Sequence, residues 1–107
     1  MSNRLTVFQG NKFTIQTTVT NENDAVVDLT GLTVNLTIYN GKTSIYTNSN
    51  TTHTTPASGI TTFVITQTET ATWPAPSVLI YEIEVVYVDG SKFTGTRDYI
   101  EFKKDLA

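Results

Sequence analysis

The sequence predicts an all-β fold of about seven strands in a single domain, residues 1–107. Within residues 79–88, apolar side chains alternate with a set that includes Glu82 and Glu84. This period of two is typical of a strand with one buried face. Asp89-Gly90 separates this run from a second β-rich run, and Asp-Gly favours a two-residue type I′ hairpin turn. Turn signals recur about every ten residues elsewhere, as expected for short antiparallel strands.

Four strands are predicted in the first half of the chain. The first covers residues 4–9, and the second covers residues 12–20 with Phe13, Ile15, Thr17 and Val19 on one face. Turns at residues 21–24 and 28–31 flank a short bridging piece at residues 25–27. The third strand covers residues 32–39, and Asn40-Gly41 is a hairpin signal leading to a short strand at residues 44–47.

The second half adds three strands and one short helix. Residues 48–58, rich in Asn and Thr, are expected to form an exposed loop. Residues 59–67 form a strand whose buried face is ambiguous, because Phe63 and Ile65 compete with Ile60 and Val64.

A helical turn and a long hairpin follow. Thr66 and Glu69 have the spacing of a capping box, so one helical turn is predicted at residues 70–73 before Pro74 ends it. The hairpin of residues 79–102 completes the chain, and Gly95 predicts a bulge in its second strand.

Together these elements predict an immunoglobulin-like antiparallel β-sandwich. The spacing from Trp73 to Tyr81 also predicts a tyrosine corner, in which a tyrosine hydroxyl near the start of a strand bonds upstream backbone.

Composition excludes several classes of function. The chain has no cysteine, one histidine and a formal net charge of −3. Disulfides, thiolate metal sites and histidine clusters are therefore excluded, and no basic stripe indicates nucleic-acid binding. The N-terminus lacks a signal peptide and no run is long enough to span a membrane, so we expect no Sec export and no membrane partner.

Two groups of polar residues could carry chemistry. Glu82 and Glu84 share a strand face, as a glycosidase pair could, but alternate acids are also ordinary on a solvated face. His53 lies among threonines and is expected to be a surface histidine. We expect no cofactor and no enzymatic activity.

Two further groups suggest binding. Glu22, Asp24 and Asp28 cluster at one turn and could hold calcium, although turn-forming hydrogen bonds explain the same residues. A set of aromatic residues could form a sugar-binding platform, although core packing or a subunit contact is the more common role: Trp73, Tyr39, Tyr46 and Tyr87.

Several motifs in this order resemble the immunoglobulin-like domains of tailed-phage virion proteins. They begin with the strand of Phe13-x-Ile15 and the segment Val27-Asp28-Leu29-Thr30-Gly31, the most distinctive piece. The helical segment Thr68-Glu69-Thr70-Ala71, the strand Tyr81-x-Ile83-Glu84, Asp89-Gly90 and a last strand with Gly95 follow. Such domains occur at the N-terminus of baseplate upper proteins and as small stand-alone phage proteins.

The resemblance implies a non-enzymatic structural protein of the virion. Because the sequence ends just after the predicted sandwich, we expect a capsid decoration or cement protein, or a head or tail accessory subunit. Its partners would be capsid or tail subunits and further copies of itself, bound through sheet edges and loops. The alternative is a carbohydrate-binding or adhesin module displayed on a virion or cell surface.

Overall fold

A computed structural model describes residues 5–21, 23 and 25–104, and this part of the chain forms an all-β sandwich. Two short helical segments lie on either side of the fifth strand: a 3₁₀ turn at Pro56–Ser58 and α1 at Gln67–Thr70. Seven strands occur in the described residues: β1 (Leu5–Phe8), β2 (Phe13–Thr18), β3 (Thr33–Asn40), β4 (Thr43–Asn50), β5 (Ile60–Ile65), β6 (Ser77–Val86) and β7 (Lys92–Lys103).

The strands form two sheets of unequal width. One sheet has five strands in the order β1-β7-β6-β3-β4, and the other has two, β2 and β5. Every described strand pair is antiparallel except β1 and β7, which run parallel. The larger sheet is therefore mixed. The parallel pair joins strands from the two ends of the sequence, and the alternation of side chains within one strand does not tell which strand lies beside it.

The inner faces of the two sheets enclose the core. In β6 the predicted alternation is confirmed, since Leu79, Tyr81, Ile83 and Val85 are all buried. In β2 the predicted inward set is confirmed as well. The most deeply buried large side chains of the core are Phe63, Phe102, Leu29, Leu36, Ile38, Ile65, Leu79, Ile83 and Ile100.

Pairing with β2 decides which face of β5 is buried. Phe63 lies opposite Ile15, and Phe63 and Ile65 both point into the core. Val64 faces outward with 47% of its surface exposed. The ambiguity in the sequence arises because both faces of this strand carry apolar residues.

The two hairpin turns differ in detail from those predicted. The Asp89-Gly90 turn is not a two-residue type I′ loop: the Tyr87 N–H donates to the Ser91 carbonyl (2.7 Å) and the Gly90 N–H to the Tyr87 carbonyl (2.9 Å). Gly90 has φ 89°, so it occupies the left-handed position that closes a three-residue hairpin loop. The Asp89 carboxylate stabilises this loop by accepting the N–H and O–H of Ser91.

The β3–β4 hairpin is shifted by one residue from the predicted turn. Asn40 pairs with Thr43, so the loop residues are Gly41 and Lys42, and Gly41 adopts φ 64°. The prediction of an exposed loop over residues 48–58 is wrong in its first part. Residues 48–50 extend β4 and pair with residues 34–36 of β3, because ladder pairing outweighs the turn propensity of Asn and Ser.

The short helix lies three residues earlier than predicted. Thr66 is the N-cap, and its hydroxyl accepts the Glu69 N–H at 3.4 Å. The cap at Thr66 is therefore confirmed, but the helical turn begins directly after the cap, at Gln67, rather than at residue 70.

The predicted bulge is present and the predicted tyrosine corner is not. The β6–β7 register shifts between Ile83 and Glu84, which leaves Gly95 as the extra residue. Tyr81 lies in the middle of β6 opposite Ile38 and Asp98. Among the described residues, its hydroxyl makes no hydrogen bond to the backbone of the β5–β6 connection, so that prediction is wrong.

Candidate functional site

The four aromatic residues for which a sugar platform was the alternative to core packing do not come together on one surface. Trp73 is buried, with 3% of its surface exposed, and packs against Phe13, Tyr46 and Phe102 at ring-centroid distances of 5.6–6.0 Å. Tyr39 lies on the opposite, outer face of the five-stranded sheet, since its neighbour Ile38 points inward. The core-packing role is therefore confirmed for Trp73 and Tyr46, and the alternative of a sugar platform built from these four residues is excluded.

The Trp73 cluster closes one end of the sandwich. Gln9 donates its amide to the Trp73 carbonyl (3.0 Å), and the Thr70 hydroxyl donates to the Asn11 carbonyl (3.0 Å). These contacts attach the β5–β6 connection to the β1–β2 connection. The Trp73 Nε1–H is buried without a hydrogen-bond partner, which costs desolvation free energy. The packing of the indole ring must contribute more than this cost for the cluster to stabilise the fold. Burial raises the pKa of the Tyr46 phenol.

The paired carboxylates lie on an open face rather than in a cleft. Glu82 accepts a hydrogen bond from Arg97 Nε at 3.0 Å and a second from its Nη2, and this pairing raises the pKa of Arg97. Glu84 follows on the same face, opposite Asn35 and Thr94 in the neighbouring strands. Glu82 is thus held as an ion-pair partner, and the solvated-face interpretation fits both residues.

His53 is half-buried and fixes the β4–β5 connection, which corrects the prediction of a surface histidine. Its Nε2 lies 2.8 Å from the Leu32 carbonyl and its Nδ1 lies 3.0 Å from the Thr61 hydroxyl. A carbonyl only accepts, so Nε2 carries the hydrogen. Thr61 is fully buried and also accepts the Asn50 amide at 3.0 Å. Both ring nitrogens are therefore used in a structural network.

The predicted calcium cluster is described only in part. Glu22 and Asp24 lie outside the described residues. Asp28 accepts the N–H and O–H of Thr30 (3.0 and 2.7 Å), which lowers its pKa. Among the described residues, no group of three or more His, Cys, Asp or Glu side chains is placed to hold a metal ion. The turn-forming interpretation therefore fits Asp28.

One aromatic row on the outer face of the five-stranded sheet was missed by the sequence analysis. Strand register places Tyr39 opposite Ile80 and Ile80 opposite Tyr99, so the three side chains cross β3, β6 and β7 in a line. Tyr99 is 43% exposed, and Val78 on the same face is 51% exposed. No signal in the sequence could have found this row, because its members come from three strands.

A shallow concavity of about 430 Å³ adjoins this row. Its lining consists of Tyr39, Gly41, Lys42, Ile80, Glu82 and Arg97. An aromatic ring and an aliphatic side chain thus lie beside one carboxylate and two cations. This surface can pack against an apolar group and exchange hydrogen bonds with polar groups around it.

The sheet edges have an unusual chemical character. Four strands end a sheet, namely β1 and β4 in the larger sheet and β2 and β5 in the smaller. Among the described strands, none of these four contains a charged residue or a proline, whereas β6 and β7 carry all the strand charges. Monomeric proteins usually protect such edges with lysines, prolines or inward charges. The described edges lack those protecting residues, although the Asn50 amide and the Thr55–Ile60 bridge already cover part of β5.

The comparisons with known proteins add no relative to this description. Neither the protein-family models nor the curated proteins that were searched contain a match to the chain. No helix among the described residues is long and apolar enough to cross a membrane.

Proposed function

We propose that this chain is a non-enzymatic structural protein of a tailed-phage virion, a capsid decoration or cement protein or a head or tail accessory subunit. It binds neighbouring virion proteins and further copies of itself through sheet edges and loops. The observation that carries the proposal is the absence of charge and proline from the four described edge strands. Backbone groups on such edges add strands from a neighbour without like-charge repulsion.

The resemblance to phage immunoglobulin-like domains supplies the setting, and the structure explains its most distinctive motif. Leu29 is fully buried in the core. Asp28 and Gly31 form the turn that immediately precedes β3. The motif of residues 28–31 therefore stabilises the fold, whereas the proposed role in assembly rests on the uncharged edge strands. Multiple weak contacts across a symmetric shell or tail then add up to stable attachment.

Detection of the chain in purified particles tests the proposal. Particles released from the source culture would be purified by density, separated into heads and tails, and probed with an antibody against the chain. We expect the chain to be enriched with particles and confined to one fraction. A chain found only in the soluble lysate would contradict a virion role.

The outer-face row favours carbohydrate binding as a second candidate function. The Tyr39 and Tyr99 positions lie two strand spacings apart, about 10 Å between Cα atoms, since paired strands are about 4.8 Å apart. Aromatic faces pack against the C–H groups of sugar rings, and Arg97, Lys42 and Glu82 offer hydrogen bonds beside them. An extended saccharide could therefore lie across the row.

A glycan array decides between the two candidates. Carbohydrate binding predicts a glycan signal that is lost in both the Tyr39→Ala and the Tyr99→Ala variants and kept in Tyr87→Ala, since Tyr87 lies outside the row. A flat array, together with particle association, would exclude the carbohydrate function and leave the structural one.

A further inference from the structure

We propose that the outer edge of β4 is a homodimer interface, in which two copies pair their β4 strands antiparallel about a two-fold axis near Thr47. This inference rests on the proposed function, in which copies associate through sheet edges, and it names the edge and the partner. The result is one continuous ten-stranded sheet built from two five-stranded sheets.

Among the described edge strands, β4 is the longest. It is eight residues long, whereas β1 has four residues and β2 and β5 have six. The outer side of β5 is already covered in part, because the Asn50 amide donates to the Thr62 carbonyl (2.7 Å) and Thr55 bridges to Ile60. Within the described residues, β4 pairs with β3 on one side and with no strand on the other.

Along β4, the backbone N–H and C=O groups of every second residue point away from β3. The Ser49 N–H donates to the Asn48 Oδ1 at 2.9 Å and so points away from β3. Direction alternates along an edge strand, so the N–H and C=O of Thr47 point the same way. The register breaks at the bulge between Ile38 and Tyr39, which leaves the segment from Tyr46 to Asn50 as the regular part of the edge.

A second copy fits this edge because an antiparallel pair of identical strands is self-complementary. With Thr47 at the axis, each Thr47 donates to and accepts from its symmetry mate, and Tyr46 lies opposite Asn48 of the other copy. The threonine side chains then form a cross-strand pair of a favourable type.

Charge supports the same partner. A charged residue near a two-fold axis faces its own copy, and β4 has none. The nearest cation in sequence, Lys42, falls opposite position 52 of the other copy in this register, where the residue is an uncharged threonine. The net charge of −3 resides elsewhere on the molecule, with the strand charges on β6 and β7.

Solution mass measurements of three proteins test this interface. Light scattering after size exclusion is expected to give the wild type twice the chain mass of 11.8 kDa at high protein concentration. Thr47→Lys places two cations at the axis and is expected to raise the dimer dissociation constant about tenfold or more. Thr37→Lys is the matched control, because Thr37 pairs with Thr47 on the same sheet face but lies one strand inward.

The outcomes separate this interface from the proposed function. A dimer weakened by Thr47→Lys and kept by Thr37→Lys supports the β4 interface. A wild type that stays monomeric at high concentration, or a dimer equally insensitive to both variants, overturns it. A monomer that still associates with virions would overturn the β4 interface alone, whereas a β4 dimer absent from virions would overturn the proposed function alone.

Discussion

Among the described glycines with positive φ, Gly59 has the most crowded surroundings. It adopts φ 72°, and a Cβ there would lie 2.9 Å from the carbonyl oxygens of Val19 and Val27 and from a methyl group of Val26. The Val19 N–H also donates to the Gly59 carbonyl at 2.8 Å. The glycine therefore lets the β2–β3 connection pack directly against the start of β5.

Substitution at Gly59 tests this packing. We expect Gly59→Ala to lower the free energy of unfolding by about 3 kcal/mol, through left-handed strain and a clash with backbone. Gly41→Ala is the control, since Gly41 has φ 64° with open space around it, and about 1 kcal/mol of strain is expected. Urea denaturation measures both, and equal losses would show that packing at Gly59 is not tight.

Two exposed aspartates, Asp28 and Asp89, make the stability of the fold depend on pH. Hydrogen bonds from Thr30 lower the pKa of Asp28, and those from Ser91 lower the pKa of Asp89, below the ordinary 3.8. A lowered pKa in the folded state contributes stability above the unfolded value and loses it as pH falls through the folded value. Part of the stability is therefore lost below about pH 3.8.

Replacing both carboxylates should flatten this dependence. The double variant Asp28→Asn/Asp89→Asn keeps an oxygen acceptor in each turn but cannot titrate. We expect its free energy of unfolding to fall less than that of the wild type between pH 5 and pH 2. Chemical denaturation across this range measures the difference, and parallel pH curves for the two proteins would contradict the assignment.

The element that joins β5 to β6 depends on one side chain. Trp73 packs three aromatic rings together at the end of the sandwich, while its Nε1–H is buried without a partner. We expect Trp73→Ala to cost about 3–5 kcal/mol of unfolding free energy because it leaves a large cavity.

Trp73→Phe separates packing from hydrogen bonding. It keeps an aromatic ring and removes the unsatisfied donor, so a loss below about 2 kcal/mol is expected. Since the chain has one tryptophan, circular dichroism rather than fluorescence should follow unfolding of both variants. If both variants lost a similar amount of unfolding free energy, the size of the indole ring, and not an aromatic ring in the cluster, would account for the stabilisation.

The elements also show which features a sequence can predict. The inward phases of β2 and β6 follow from a period of two, and Gly95 marks the bulge because a glycine inside a strand often does so. Strand ends were less predictable, as residues 48–50 join β4 through pairing with β3. Local propensity carries no information on a partner strand elsewhere in the chain.

The candidate surfaces were less predictable than the fold for the same reason. The partners of His53, Leu32 and Thr61, lie 21 and 8 residues away, and a histidine among threonines gives no sign of them. The row of Tyr39, Ile80 and Tyr99 requires the register of three strands. Charge-free edges could be read from the sequence only once the edge strands were known.

For the whole molecule, the segregation of charge is the property that bears most on function. The strand charges lie on β6 and β7, which have neighbours on both sides, while the four described edge strands are uncharged. This arrangement is opposite to the usual protection of edges in monomers. It suits a subunit that exposes its edges to neighbours in an assembly.

Co-sedimentation with purified virions tests the claim that these edges mediate assembly most directly. The edge variant carries Thr18→Lys, Thr47→Lys and Val64→Lys, one exposed lysine on each of the three longer edge strands, and no two of these positions are paired across strands. The control carries Val78→Lys, Val88→Lys and Thr94→Lys, three exposed positions away from the edges. Circular dichroism first establishes that both variants fold. We expect wild type and control to sediment with virions and the edge variant to stay in the supernatant. An edge variant that sediments as well as the wild type would contradict assembly through the sheet edges.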